Sequence, residues 1–238
     1  MLSGSNAGQA SARAGAAELS ELSGSRGVVS ANGSGRANRV APDGSVHAVA
    51  DRGLFWGNKG RLLDARGELA RRWQGRNWLV CVLEFKGRRR TQWRPDRLTE
   101  LYFVDEATAF AAGHRPCGEC RYRDYQRFKT AWVRADPAAG SSAGEIDRRL
   151  HADRLGPSGP RTHVAPLASL PDGTIVEHDD AFWLVLGDSL HRWSFSGYAA
   201  ARRRVDFPAA ITIRTPRATV ATLRAGYEPV IHPSAQRS

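Results

Sequence analysis

The sequence predicts an α+β fold of small antiparallel sheets and short helices, and three observations predict it. In the first half, short apolar runs with β-branched and aromatic content alternate with segments of helical period. After Thr174 the period shortens to successive strands parted by turn residues. The 238 residues are 41% hydrophobic, with seven Trp and eight Phe, so a real core can be buried. The length favours one large domain, or one with a small appendage.

Residues 1–45 are Gly, Ser and Ala with scattered charge and few large apolar side chains. Burial cannot offset the ordering entropy of such a segment, so it is expected to be a disordered tail. The folded part is expected to run from 46. Residues 77–85 (NWLVCVLEF) read as a strand covered on both faces, and 99–104 (TELYFV) as a second. The link between them, rich in Lys and Arg and holding Gly87 and Pro95, suits a hairpin-like excursion into solvent. Asp105 is placed to cap a short helix and Gly113 to end it in a left-handed turn. After Cys120, Tyr122, Tyr125, Phe128 and Trp132 recur at helical spacing, with Arg123, Arg127, Lys129 and Arg134 on other faces. That first unit is taken as 46–135. Residues 136–165, with DPAAGSSAG and GPSGP around a short helix-like piece, read as a loose linker. Residues 166–238 read as a small β-rich part. It holds a meander over TIVEH, FWLVLG and LHRWSF, a strand near 210–214, and a closing helix framed by Pro216 and Gly226. The strand, helix, Ala-Gly and bulky-charged-Pro order of 101–116 recurs at 211–229, an internal echo without a second cysteine pair.

The formal charge is +11 at pH 7, almost all of it arginine, because Lys59, Lys86 and Lys129 are the only lysines. Such a surface attracts polyanions, and nucleic acid, DNA above all and without sequence preference, is the expected partner. Arg88, Arg89, Arg90, Trp93, Arg123 and Arg127 are the candidate contacts, arginine forks for phosphate oxygens and Trp93 either for a base or as a hairpin anchor. No apolar run approaches the ~18 residues of a membrane-spanning helix. Three cysteines make no closed disulfide framework, and the expected compartment is the reducing cytoplasm.

Cys117-Gly118-Glu119-Cys120 is the most informative local feature. Two thiolates on one turn can share a tetrahedral ion, zinc first among candidates. Such a site needs more donors, and His114, His151 and His163 are the candidates, neutral imidazole being a standard ligand beside thiolate. Each also has a plainer reading, as a packed ring for His114 and as a surface side chain for the other two. Cys81 alternates with Leu79, Leu83 and Phe85 on an apolar strand, so it is expected to be an inert buried thiol. A redox pair is disfavoured, because the motif follows a helix end and a proline instead of opening a helix after a strand.

The stretch 106–120 (EATAFAAGHRPCGEC) resembles the second half of the zinc-binding domain of the Ada methyl-phosphotriester DNA repair family. The longer pattern LEFKGRR, TELYF and GHRPCxEC is similar to that of uncharacterised bacterial proteins carrying this module. The resemblance implies a β-α zinc module in which Cys117 and Cys120 are ligands. It also marks a departure. The family's upstream cysteine pair, one member of which accepts the methyl group, would fall in 86–95, where neither Cys nor His stands. Methyl transfer at that position is therefore excluded, since the step needs a reactive thiolate. The expected function is a zinc-binding, nucleic-acid-associated protein without methyltransferase activity. Two alternatives stand beside it. One is a metal- or His-dependent phosphodiesterase built on Glu100, Asp147, His151 and His163 with nearby arginines. The other is a protein-interaction module whose cysteines are purely structural.

Overall fold

The computed structural model describes residues 36–87, 93–157 and 159–235. The chain adopts the expected α+β class, with two six-stranded sheets and one two-stranded sheet. The first sheet contains β1 (Arg39–Val40), β2 (Val46–His47), β3 (Phe55–Asn58), β4 (Leu79–Val82), β5 (Leu101–Phe103) and β6 (Arg115–Pro116), ordered β2-β1-β5-β3-β4-β6. Two of its pairings are parallel, β1 with β5 and β4 with β6. β3 lies between β4 and β5, so the basic 86–95 stretch joins strands that are not neighbours.

Four α-helices stand among the described residues, and local chemistry sets their ends. In α1 (Glu106–Ala111), the Asp105 carboxylate caps the first turn by accepting from the Thr108 amide at 2.8 Å. Gly113, just past its end, takes φ +84°, and a Cβ there would stand 2.5 Å from the Arg154 side chain. α2 (Tyr122–Ala135) buries Phe128 and Trp132, half-buries Tyr125 and leaves Tyr122 60% exposed. The aromatic stripe is thus mainly a core face. α4 (Arg217–Arg224) starts after Pro216, and Gly226 follows at φ +101°.

The 136–165 segment is not a loose linker. The Asp136 side chain caps a 3-10 turn over Pro137–Ala139, and Ser142 with Glu145 forms a reciprocal capping box that starts α3 (Ala143–Arg154). Ile146 and Leu150, four residues apart, are fully buried, and this burial turns a polar-looking stretch into a core helix. The hairpin β7 (Leu155–Gly156) with β8 (Gly159–Pro160) follows, and then β9 (His163–Pro166). At the other end, β1 pairs with β2 and with β5, so the fold already includes residue 39, inside the span expected to be tail.

The second sheet is antiparallel throughout. β10 (Ile175–His178), β11 (Ala181–Leu186), β12 (Ser189–Ser194) and β13 (Gly197–Arg203) form the expected meander, and β14 (Ala210–Ile213) pairs β10 with β9 in the order β13-β12-β11-β10-β14-β9. Hydrophobic faces join the parts. Phe103, Phe110, Phe128, Trp132, Ile146 and Leu150 form the main core with Leu223 of α4. Val220 of the same helix packs into the second sheet's core with Val176, Trp183 and Ile213. Helix α1 contributes Ala107 and Ala111 to a third cluster with Ile175, Leu184 and Tyr198.

Polar groups at the start of α1 complete the junction. The buried Glu106 carboxylate accepts from Arg121 at 2.7 Å, from the Tyr227 hydroxyl at 2.8 Å and from the Val230 amide at 2.9 Å. Asp105 accepts from the Tyr198 hydroxyl at 2.8 Å and the His232 amide at 3.1 Å. The internal echo has a local counterpart. After each positive-φ glycine comes a buried ring, His114 at 0% and Tyr227 at 2% exposure, and then a charged residue and a proline.

Removing one partner of a buried ion pair leaves the other charge uncompensated. Glu106→Ala is therefore expected to lower stability by about 3–5 kcal/mol. Arg127→Ala, which breaks a solvent-exposed pair with Asp124 and a contact of the same side chain with the Tyr227 ring, is expected to cost about 1 kcal/mol. Urea unfolding of the two variants measures both, and equal losses would mean that the buried pair has no special structural weight.

Candidate metal centre

Strand β4 carries Cys81 opposite Trp56 of β3, with Cys81 only 4% exposed. Along its other edge runs β6 in parallel, pairing Leu79 with Arg115 and Val80 with Pro116. The Cys117 amide extends this ladder by donating to the Val80 carbonyl at 3.0 Å. The chain then turns through Gly118 and Glu119, and the Arg121 amide donates back to the Cys117 carbonyl at 3.2 Å as α2 begins. This brings the sulfurs of Cys81, Cys117 and Cys120 within 4.8 Å of one another. A tetrahedral zinc with bonds of about 2.3 Å would hold its sulfurs ~3.8 Å apart, so the spacing suits one shared ion.

The turn is clamped from both sides. Arg115, just before it, forms a bidentate pair with Asp147 of α3 at 2.7 and 2.8 Å. Arg121, just after it, reaches Glu106 and lies over the Phe55 ring at 4.5 Å. The backbone also serves the sulfurs. The Glu119 amide donates to the Cys117 sulfur at 3.5 Å, the Cys120 amide acts on the same atom, and the Val82 amide acts on the Cys120 sulfur. Hydrogen bonds from the Cys120 and Cys81 thiols pull the Cys117 thiol far below its ordinary value, against burial. Cys81, as a donor to Cys117 and Cys120 and buried as well, is pushed far up, and Cys120 is raised by its bond to Cys117. A soft divalent ion would convert all three to ligands.

The cluster corrects the reading of Cys81, which is its third member and not an isolated thiol. The apolar pattern of 79–82 does form a strand, β4. What local pattern lacks is the parallel β4–β6 pairing that sets Cys117 beside it.

None of the three candidate histidines belongs to this group. His114 is fully buried with its ring 5.4 Å from Trp78 and 4.7 Å from Phe103, and neither ring nitrogen has a hydrogen-bond partner. Burial, then Lys59 and Arg154, hold it well below its ordinary pKa, so it is a neutral packed ring. His151 lies edge-on to Trp73 at 4.7 Å, and its Nδ1 is 2.9 Å from Arg154. His163 opens β9 in the second sheet, opposite Ile213.

The other candidates take varied places. Arg88, Arg89 and Arg90 lie outside the described residues. Trp93 acts as an anchor, its indole N–H donating to the Gly67 carbonyl at 2.8 Å and its amide to Glu100 at 3.2 Å. Arg123 is exposed, and Arg127 pairs with Asp124 while lying over Tyr227. Asp147 is held by Arg115 and Glu100 by Trp93. Among the described residues no second group of three His, Cys, Asp or Glu side chains converges as the cysteines do. Comparison of the chain with family models, curated proteins and solved structures finds no match.

Because the folded state holds His114 neutral while the unfolded chain binds a proton below about pH 6.5, its contribution to stability is present above that pH and is lost as pH falls through it. His114→Phe, a ring of similar bulk without buried nitrogens, is expected to flatten the fall in stability between roughly pH 7 and pH 5. The cysteine cluster should be unaffected. Urea midpoints at the two pH values measure it, and an unchanged slope would assign the acid sensitivity to other groups.

Proposed function

We propose that this chain is a zinc-binding protein in which the thiolates of Cys81, Cys117 and Cys120 hold the ion, and that it associates with nucleic acid. The observation that carries the first half is the convergence of the three sulfurs from two separate parts of the chain. Three thiolates are a soft donor set that suits zinc, and amide hydrogen bonds to the sulfurs support the charge that such a site gathers. No fourth His, Cys, Asp or Glu joins them among the described residues. A further donor would therefore come from outside the described residues, from water or from a partner. Bound there, the ion would tie the β4 strand to the turn that starts α2, and it would act as a Lewis acid toward its fourth donor. The likeness of 106–120 to the Ada module supports the same assignment for Cys117 and Cys120, and Cys81 takes a place that the likeness does not supply. The nucleic-acid half is supported by the charge of +11 and by exposed Arg123 at the start of α2.

Elemental analysis of protein made without a histidine tag is expected to find about one zinc per chain. Serine at Cys81, Cys117 or Cys120 should each weaken binding by more than the ~10–100-fold that follows loss of an outer-shell partner. The ion should leave as acid protonates the thiolates. Metal-free protein whose three serine variants are as stable as the parent would overturn the reading in favour of purely structural cysteines.

Binding of labelled DNA, followed by anisotropy, is expected at micromolar order and should weaken steeply from ~50 to ~200 mM salt without sequence preference. A flat salt response, or no binding at ~50 mM, would remove the nucleic-acid half.

A further inference from the structure

A cleft of about 390 Å³ lies where the end of α3 and the β7–β8 hairpin meet the 72–73 stretch, with Arg72, Trp73, His151, Leu155, Gly159 and Arg161 in its wall. None of the described residues lining it is acidic. Arg72 is exposed and, among the described residues, pairs with no carboxylate. Arg161 donates from Nε to the Leu155 carbonyl at 2.5 Å, and its two Nη groups have no acceptor among the described residues. A guanidinium only donates, so His151 Nδ1 is the acceptor in its 2.9 Å bond to Arg154, and the ring proton sits on Nε2 as a further donor.

Behind this wall the charge is also positive. Arg154 is 4% exposed, lies 3.8 Å over the Trp78 ring and donates to the Gly113 and Arg76 carbonyls at 2.8 and 2.6 Å, while its Nε is unpartnered. Lys59 is equally enclosed at 5% exposure, and among the described residues its ammonium has one hydrogen bond, a 3.3 Å contact with the Gly44 carbonyl. Burial first, and then Arg72 and Arg154, push Lys59 down to about 8. Burial lowers Arg154 to about 9, with Asp147 opposing and Arg115 adding to the effect. Asp43 and Asp147 act on these cations from a distance, but among the described residues neither Lys59 nor Arg154 has an ion-paired carboxylate, and a bound anion would relieve them.

We propose that this cleft binds a phosphate monoester on a nucleotide-sized carrier, the phosphate held by Arg72, Arg161 and the His151 Nε2–H, with the base laid on Trp73. Guanidinium forks match phosphate oxygens, and a monoester carries close to two negative charges, which suits a site with two arginines at the wall and two cations behind it. Trp73, 40% exposed and steadied by the edge of His151, offers a stacking face, and the volume falls in the range of small-ligand pockets. The inference needs neither the metal nor a nucleic-acid strand.

Isothermal titration of the full chain at low salt tests it, with adenosine monophosphate, inorganic phosphate, adenosine, and an oligonucleotide without a terminal phosphate as separate titrants. Adenosine monophosphate is expected to saturate about one site per chain, inorganic phosphate to compete with it, and adenosine to bind at least tenfold more weakly. The double variant Arg72→Ala/Arg161→Ala, both at exposed positions, should lose tenfold or more in affinity, as follows from losing charge-assisted bonds. Trp73→Ala should weaken the nucleotide and leave inorganic phosphate unchanged. Arg161→Lys, which keeps the charge, checks that a loss is not unfolding. No saturation by adenosine monophosphate at millimolar concentration, or undiminished binding in the double variant, overturns the proposal. So does an oligonucleotide that binds while the monophosphate does not, which would assign the cleft to phosphodiesters. Zinc measured in the same samples keeps the outcome separate from that of the metal centre.

Discussion

Two adjacent buried carboxylates, Asp105 and Glu106, are the constraint on which the rest of the structure depends. Each sits at the start of α1 with almost no solvent, so each needs donors from the protein to offset its lost hydration. The donors come from far along the chain. Asp105 draws Tyr198 of the second sheet and the amide of His232, while Glu106 draws Arg121, Tyr227 and the amide of Val230. The C-terminal segment, the second sheet and the first turn of α2 therefore all meet at one helix end. Without these partners the two charges would have no place in the core, so the junction is specified by its polar groups as well as by its apolar ones.

That junction also positions the sulfurs. Arg121 directly follows Cys120, and its bond to Glu106 sets where α2 begins. Arg115, two residues before Cys117, is tied in the same way to Asp147 of α3. The cysteine turn is thus suspended between two buried ion pairs, and β6 brings it alongside Cys81. Residues that composition alone marks as part of a basic surface are here internal braces. Arg115 and Arg121 are both 4% exposed and each lies over an aromatic ring. A guanidinium keeps its charge in such settings while its flat face packs against carbon, and an ammonium would do this less well.

The remaining cations divide into two kinds. Some are matched by acids on the same helix, as Arg127 is by Asp124. Others, around Trp78 and the cleft beside α3, have no ion-paired carboxylate among the described residues. The first kind is ordinary surface chemistry. The second concentrates positive potential in an enclosed place, a distinction that the total of +11 does not show.

Local chemistry written in consecutive residues was enough for the α+β class, the Asp105 cap, the glycine after α1, the aromatic face of α2, the meander after Thr174 and the closing helix. Each depends on neighbours within a few positions. The same kind of signal stands at Ser142–Glu145, whose capping box marks α3 inside a stretch that Gly, Ser and Ala neighbours make look like a linker. The Cys117–Cys120 pair was equally legible, being one turn. Its third partner was not. Cys81 lies 36 residues upstream of Cys117, and only the parallel pairing of two short strands makes them neighbours. No periodicity encodes such a contact, because it depends on which strand edge is left open once β3 has paired on the other side. For the same reason local spacing leaves His114 open between a ligand and a packed ring, and its burial against Phe103 and Trp78 makes it the packed ring. Proximity along the chain decided the turn, and the sheet decided which side chains face it.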